Sequence, residues 1–264
     1  MIGSIITWLT SSQTWSGPGG LATRITEHLW YTLLAVVFAA VIAIPLGLWV
    51  GHTGRAQWLV TLANSLRAVP TLGLLFAMAL WLGPKFSSDL AFLIPSVVVL
   101  IILVVPPILS GVYAGVEAVD PAARDAARGM GMTGSQIVRQ VEIPNALPLI
   151  LSGLRSAFLQ VIATATVAAY VGLGGLGRYL IDGIKTGDYV ATAGGAVVVS
   201  VLALLVDGIL ALVQRLVVSP GLTGRTARNR AARDGMSGPN AGVASESDSA
   251  AERTFGPASE PAAH

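Results

Sequence analysis

Cysteine is absent from this 264-residue chain, and charged residues make up only 11% of it. Without cysteine, the chain has neither a disulfide framework nor a thiolate metal site. Soluble domains carry about 25% charged residues, so a chain with 53% hydrophobic residues has the composition of an integral membrane protein surrounded by lipid. The net charge of only +2 argues against a nucleic-acid partner.

Motifs for nucleotide chemistry are also missing. No G-x-x-x-x-G-K-[ST] run occurs, so the chain is not expected to hydrolyse ATP. The letters of residues 172–177, GLGGLG, fit G-x-G-x-x-G, but a membrane-length helix precedes them where a dinucleotide site needs a strand. We interpret them as a flexible external exit from a span. His28 and His52 fall at span ends and His264 in the tail, so no catalytic set, metal site or cofactor site is expected.

Apolar runs of about 20 residues predict an all-α membrane protein with about five core transmembrane helices. An N-terminal lead, 1–28, is expected to be extracytoplasmic or interfacial, a transmembrane domain covers 29–219, and a polar tail, 220–264, is predicted to be disordered. The predicted spans are Leu29–Val50, Trp58–Leu82, Leu90–Val112, Leu149–Val171 and Tyr189–Leu216.

Basic residues predict the orientation. If the charged loop 120–148 is cytoplasmic, eleven of the sixteen Lys and Arg residues lie inside, in agreement with the positive-inside rule. Five spans then place the N-terminus outside and the C-terminus in the cytoplasm.

Few polar residues interrupt the spans. Arg67 and Asp207 are strongly ionisable residues that we place about 12–14 Å deep at ~1.5 Å per residue, so they are candidates to pair or to line a central cavity. The alternative is that the second span begins near Val69 and Arg67 extends to the interface. Asn64 and Pro70 are candidates for a substrate pathway, as are Pro95, Pro106 and Pro107, although each proline can equally be a packing kink.

The most informative stretch is 120–148, DPAARDAARGMGMTGSQIVRQVEIPNALP. Asp120 is a good N-cap, and Pro121 suits a first helical turn. Gly129 and Gly131 end this helix. Thr133 with Gln136 is a capping-box pattern that begins a second helix, which we expect to run until Pro144 and Pro148. A charged helix–turn–helix between apolar spans must lie in water, and its natural use is docking.

This stretch resembles the cytoplasmic coupling loop of ABC-importer permeases, with the pattern E-A-A, three residues, Gly, nine residues, I-x-L-P. Here the pattern is Asp125-Ala126-Ala127, Gly131 and Val141-Glu142-Ile143-Pro144, with every spacing kept. Further blocks resemble permeases of osmoprotectant importers for glycine betaine, carnitine or choline, from Glu27 to Leu216. They are EHLWYTLLAVVFAAVIAIPLGLWVG, NSLRAVPTLGLL, ATVAAYVGLGGLG and AGGA…LLVDGIL.

The resemblance implies the type I importer permease fold in a bacterial cell membrane. It implies a second permease chain, the same or homologous, two ABC ATPase subunits that hold ATP and Mg, and an extracellular substrate-binding protein. The candidate ATPase-coupling residues are Arg124, Asp125, Ala126, Ala127, Arg128, Gly131 and Pro144.

Other functions remain open from the sequence. A permease of the same fold for another small substrate, such as an amino acid, is the nearest alternative. A membrane scaffold that docks a non-ATPase partner is a second. A secondary transporter would need internal repeats, and five spans do not divide into equal halves. Only 6% of the residues are aromatic, so the solute cannot be identified from an aromatic cage.

Overall fold

A computed structural model describes residues 2–218, and within that range every regular element is helical. The predicted disordered tail, 220–264, lies outside the described residues. The α-helices in chain order are α1 (Ile2–Thr10), α2 (Ser12–Trp15), α3 (Leu21–Thr53), α4 (Trp58–Ser65), α5 (Thr71–Leu82), α6 (Leu90–Glu117), α7 (Pro121–Gly129), α8 (Gly134–Ile137), α9 (Ile143–Ala168), α10 (Gly177–Thr186) and α11 (Tyr189–Val217). Short 3₁₀ turns follow α4, α5 and α9, and a π-helical turn, Val138–Glu142, joins α8 to α9.

Four continuous helical stretches are long and apolar enough to cross a membrane. They are α3, α6, α11 and the stretch Gly134–Val171 that contains α9. The first, α3, begins at Leu21, eight residues before the predicted start at Leu29. The glycine corner at 17–20 separates it from α2, and the helix starts directly after that corner. The fourth span also begins early, at Ile143, where Leu149 was predicted.

The second predicted span, Trp58–Leu82, is broken. Its two halves, Trp58–Ala68 and Thr71–Lys85, meet at an angle of 93°. Pro70 explains the break, because it has no backbone N–H to donate and keeps the preceding residue out of the α region. Val69 is accordingly extended, with φ −72° and ψ 128°. The described residues therefore contain four spans, or five if the bent pair counts as one.

Helix α6 is the centre of the core and packs along both α3 and α9, which also contact each other. Small residues allow these close approaches, as they do in membrane helix packing generally. A Cβ at Gly51 of α3 would lie 2.7 Å from the Cβ of Val116, and a Cβ at Gly111 would lie 2.8 Å from the Cα of Gly153 in α9. Pro95, Pro106 and Pro107 of α6 are buried in this core, which favours the packing interpretation of these three prolines.

The N-terminal lead packs against α10 and α11. The ring of Trp8 in α1 meets the ring of Tyr179 in α10 edge-on, with centroids 5.2 Å apart, and it fills the space above Gly194 of α11. The Tyr179 hydroxyl donates to the Gly19 carbonyl at 2.6 Å, and burial raises the pKa of this hydroxyl. Helix α10 is thus held between the lead and α11.

Candidate functional site

The first half of the loop 120–148 folds as predicted. Helix α7 begins after Asp120, whose Oδ1 accepts from the backbone N–H of Ala122 at 2.9 Å, and Pro121 occupies its first turn. The helix ends at Gly129, and Gly131 adopts φ +79°. No atom would meet a Cβ at Gly131 within 4 Å, so glycine is favoured here by the left-handed backbone and not by lack of space.

The second half differs from the prediction. The backbone N–H of Thr133 donates to Oε1 of Gln136 at 2.7 Å, which confirms the capping contact. Pro144 and Pro148, however, do not end this helix: it continues through the π-helical turn into α9. Pro144 follows the π-helical turn directly, so its missing N–H interrupts the hydrogen-bond ladder where that ladder is already irregular. The second half of the loop 120–148 and the fourth span are therefore one continuous helical element from Gly134 to Val171.

Exposure divides the candidate coupling residues into two groups. Ala127 is buried against the body of the protein and Arg124 is partly buried. The exposed group contains Asp125, Ala126, Arg128, Gly131 and Pro144. Asp125 and Arg128 form a surface ion pair at 2.9 Å. Between them and Gly131 lies Met130, a large apolar side chain that is 76% exposed and that sequence reasoning did not select.

Arg124 points inward, toward a carboxylate. Its Nε lies 2.9 Å from Oε1 of Glu142, a side chain only 1% exposed, and its guanidinium also donates to the Val116 carbonyl of α6. Oε2 of Glu142 lies 2.9 Å from Nδ1 of His52, at the end of α3. The charge of Arg124, one of the candidate ATPase-coupling residues, is therefore paired inside the chain.

This cluster of Arg124, Glu142 and His52, which we call the loop anchor, was missed from sequence. It joins α7 to the C-terminal ends of α3 and α6 and to the start of α9. One signal was present: Glu142 is the only acidic residue between Asp125 and Asp182. An isolated acid in an apolar stretch is expected to have a partner, because an unpaired buried charge is costly.

The proposed pairing of Arg67 with Asp207 is wrong. Asp207 of α11 forms a two-point ion pair with Arg155 of α9, through Nε to Oδ1 and Nη2 to Oδ2. Arg67 instead lies exposed in the 3₁₀ turn at the bend of the second span. Beside it, Asn64 accepts from the Ser110 hydroxyl at 3.1 Å, and Pro70 is exposed at the start of α5.

A charge exchange tests the Arg155–Asp207 pair. We expect Arg155→Asp and Asp207→Arg each to lower the amount of folded protein in the membrane severalfold, because each leaves two like charges together between two membrane-spanning helices. The double exchange should recover most of the loss in fluorescence-detected size-exclusion chromatography. Arg67→Asp with Asp207→Arg is the matched control and should recover none. A double exchange no better than its single changes would contradict the pairing.

A second polar feature lies at the opposite end of α3 from the loop anchor. A cavity of about 290 Å³ opens between the first turns of α3 and α6 and the segment 172–178. The glycines of that segment approach its walls closely: a Cβ at Gly174 would lie 2.7 Å from Oε2 of Glu27, and one at Gly172 2.7 Å from Cδ1 of Phe92. The Gly175 N–H donates to Glu27 at 2.8 Å. The segment predicted to be a flexible exit is therefore a packed wall tied to α3.

Comparison with known proteins identifies the family to which this chain belongs. Residues 43–219 match the family described as "Binding-protein-dependent transport system inner membrane component". The chain belongs to this family, and it is a multi-pass permease component of a transport system that depends on a substrate-binding protein.

Two similar proteins within this family are named as osmoprotectant permeases. The chain is 34% identical to the "Glycine betaine/carnitine/choline transport system permease protein OpuCB" of Bacillus subtilis (strain 168), over 78% of this chain and 92% of that protein. It is 34% identical to the "Osmoprotectant import permease protein OsmW" of Salmonella typhimurium, over 77% and 94%.

Solved structures support the fold. The MetNI methionine ABC transporter, in an inward-facing form, superposes with a TM-score of 0.68 at 23% identity, over 75% of this chain and 96% of the other. An amino acid ABC transporter superposes with a TM-score of 0.60 at 25% identity, over 74% and 92%. The fold is that of a type I ABC importer permease, as the sequence predicted.

Proposed function

We propose that this chain is the permease subunit of an ABC importer that moves a small osmoprotectant, such as glycine betaine, choline or carnitine, into the cell. The observation that carries the proposal is the similarity to osmoprotectant permeases over more than three quarters of the chain. The permease performs no covalent chemistry. ATP and Mg belong to two copies of a partner ATPase, whose hydrolysis drives the cycle.

The exposed side of α7 supports the assignment of the ATPase-docking surface. Ala126 is small enough to let a partner approach, Met130 offers apolar area, and Asp125 and Arg128 supply polar contacts around them. The loop anchor connects this surface to α3, α6 and α9. A displacement of α7 by the ATPase would therefore be transmitted to three of the spans.

The pathway is proposed to run between this chain and a second permease chain, the same or homologous. Asn64, Arg67 and Pro70 are exposed at the bend of the second span, where broken backbone is best tolerated if it faces a partner or a water-filled path. We place the N-terminus outside and the C-terminus in the cytoplasm. The basic residues of the loop 120–148 support this orientation through the positive-inside rule, and the cavity beside Glu27, which we call the external cavity, then lies at the opposite end of α3 from the loop.

Import of an amino acid is the second candidate. It is favoured only by the superposition with amino acid and methionine transporters, and identities of 23–25% support the fold alone. The osmoprotectant relatives are more similar in sequence.

The test is reconstitution of the complete importer, with its ATPase, second permease and binding protein, in an uptake-deficient host at high osmolarity. We expect ATP-dependent accumulation of radiolabelled glycine betaine, choline or carnitine, and loss of that accumulation in Gly131→Trp while the protein remains in the membrane. Accumulation of amino acids alone would transfer the proposal to the second candidate. A complex that assembles, hydrolyses ATP and moves none of these solutes would refute both.

A further inference from the structure

The external cavity carries charges of both signs on opposite elements. Arg24 and Glu27 lie on the first turns of α3, Asp89 precedes α6, and Arg178 lies on α10. Two cations and two anions give the lining a formal charge of zero. A lining that contains both signs of charge but has no net charge suits a small zwitterion better than it suits a simple anion or a simple cation.

The four charged side chains of the cavity differ in how many hydrogen bonds and ion pairs they make within the chain. Glu27 is occupied, because its Oε2 accepts from Arg24 at 2.9 Å and from the Gly175 N–H at 2.8 Å. Asp89 is exposed and its side chain makes no capping hydrogen bond to α6. The nearest carboxylate to Arg178 is Asp182, at 3.5 Å and 52% exposed, which is a loose surface pair. One carboxylate and one guanidinium are thus available to a ligand.

Aromatic rings complete the lining. Tyr31 and Phe92 both face the cavity, and Phe92 is held against the wall by the close approach of Gly172. Aromatic faces and a carboxylate attract quaternary ammonium groups. A guanidinium is the preferred partner of a carboxylate. The volume of about 290 Å³ is at the lower end of ligand sites, so only a small solute fits.

From these observations we propose that the external cavity is a binding site for a small trimethylammonium zwitterion on the permease itself, with Asp89, Tyr31 and Phe92 at the ammonium end and Arg178 at the carboxylate end. The proposal rests on the proposed function. It adds a binding site on this chain that the solute occupies after it leaves the binding protein and before it enters the pathway. It also states which group of the solute each side chain recognises. Choline has the ammonium group but lacks the carboxylate, so choline would not use Arg178.

The experiment uses the permease–ATPase complex in lipid nanodiscs, without binding protein. Saturation-transfer difference NMR follows the trimethylammonium protons of glycine betaine and of choline in parallel titrations. We expect saturable binding of both by the unmodified complex. Arg178→Gln should weaken betaine binding about tenfold or more and change choline binding by less than twofold, because only betaine loses a charge-assisted contact. Asp89→Asn should weaken both.

Lys185→Gln is the matched control, because Lys185 is an exposed cation on the same helix, α10, outside the cavity lining. It should change neither titration. If the importer moves betaine or choline in the reconstituted uptake assay but the isolated complex shows no saturation transfer to either, the cavity site is refuted and the proposed function stands. Equal effects of Arg178→Gln on betaine and choline would also refute it. If no osmoprotectant accumulates in the uptake assay, it is the proposed function that is refuted.

Discussion

Glu142→Ala is expected to destabilise the folded permease by about 3–5 kcal/mol, the range found when one partner of a buried ion pair is removed. Glu142 is 1% exposed, and its carboxylate faces both Arg124 and His52 at 2.9 Å. Without it, the partly buried Arg124 guanidinium keeps only the Val116 carbonyl as its acceptor among the contacts described for residues 2–218. The midpoint of thermal unfolding of the purified protein in detergent should fall by about 10 °C, since 1 kcal/mol moves such a midpoint by ~2–4 °C in a domain of this size.

Two further variants distinguish loss of the pair from loss of packing. Arg124→Met combined with Glu142→Met removes both charges and keeps apolar volume, so it should recover much of the lost stability, as replacement of a buried pair by hydrophobic residues often does. Asp125→Ala is the matched control, because Asp125 carries the same kind of charge on an exposed surface pair and should shift the midpoint by less than about 2 °C. A midpoint for Glu142→Ala within 2 °C of the unmodified protein would contradict a structural role for the loop anchor.

Local features of the coupling loop could be predicted from sequence because they depend on neighbouring residues. The cap at Asp120 and the contact of Thr133 with Gln136 span two and three residues. The left-handed conformation of Gly131 follows from its place after the helix end. Hydrophobicity predicted the start of α6 and both ends of α11 to within one residue, whereas α3 begins eight residues before its predicted start and the fourth span extends back beyond Pro148 and Pro144.

Contacts between distant residues could not be predicted in the same way. His52 and Glu142 are 90 residues apart, and no periodicity in either segment shows that the end of α3 meets the start of α9. The pairing of Arg67 with Asp207 was inferred from equal depth, but depth does not show which helices are neighbours. Arg155, the observed partner of Asp207, is only six residues inside the predicted fourth span, Leu149–Val171. Helix α9 begins six residues earlier, at Ile143, which places Arg155 about 9 Å further along the helix.

Proline had two different effects, and sequence alone did not separate them. Pro70 bends the second span by 93°, whereas Pro106 and Pro107 are accommodated inside α6 and buried. The difference lies in what surrounds them. The continuous helices α3 and α9 pack along both sides of α6 and hold it through its prolines, while Pro70 lies on an exposed turn with no such support.

Met130→Asp should abolish stable docking of the ATPase without unfolding the permease. Met130 is 76% exposed at the C-terminal end of α7, and an apolar side chain in that position is expected to enter the centre of the partner's groove. A carboxylate placed there would lose its water on docking, at a cost of several kcal/mol. We therefore expect the Kd between the permease in nanodiscs and the purified ATPase to rise at least a hundredfold, which corresponds to about 2.7 kcal/mol, and uptake to fall to background.

The exposure of Met130 makes the substitution informative, because the side chain has few internal contacts to lose. The thermal midpoint of the isolated permease should therefore stay within about 2 °C of the unmodified value, in contrast to Glu142→Ala. Met130→Leu keeps the apolar area and should bind the ATPase within threefold of the original affinity. Gln140→Glu adds the same charge to an exposed position outside α7 and should leave binding unchanged. If Met130→Asp binds the ATPase normally, the tip of α7 is not the docking surface, and the loop anchor would then stabilise a loop that contacts the ATPase through other residues.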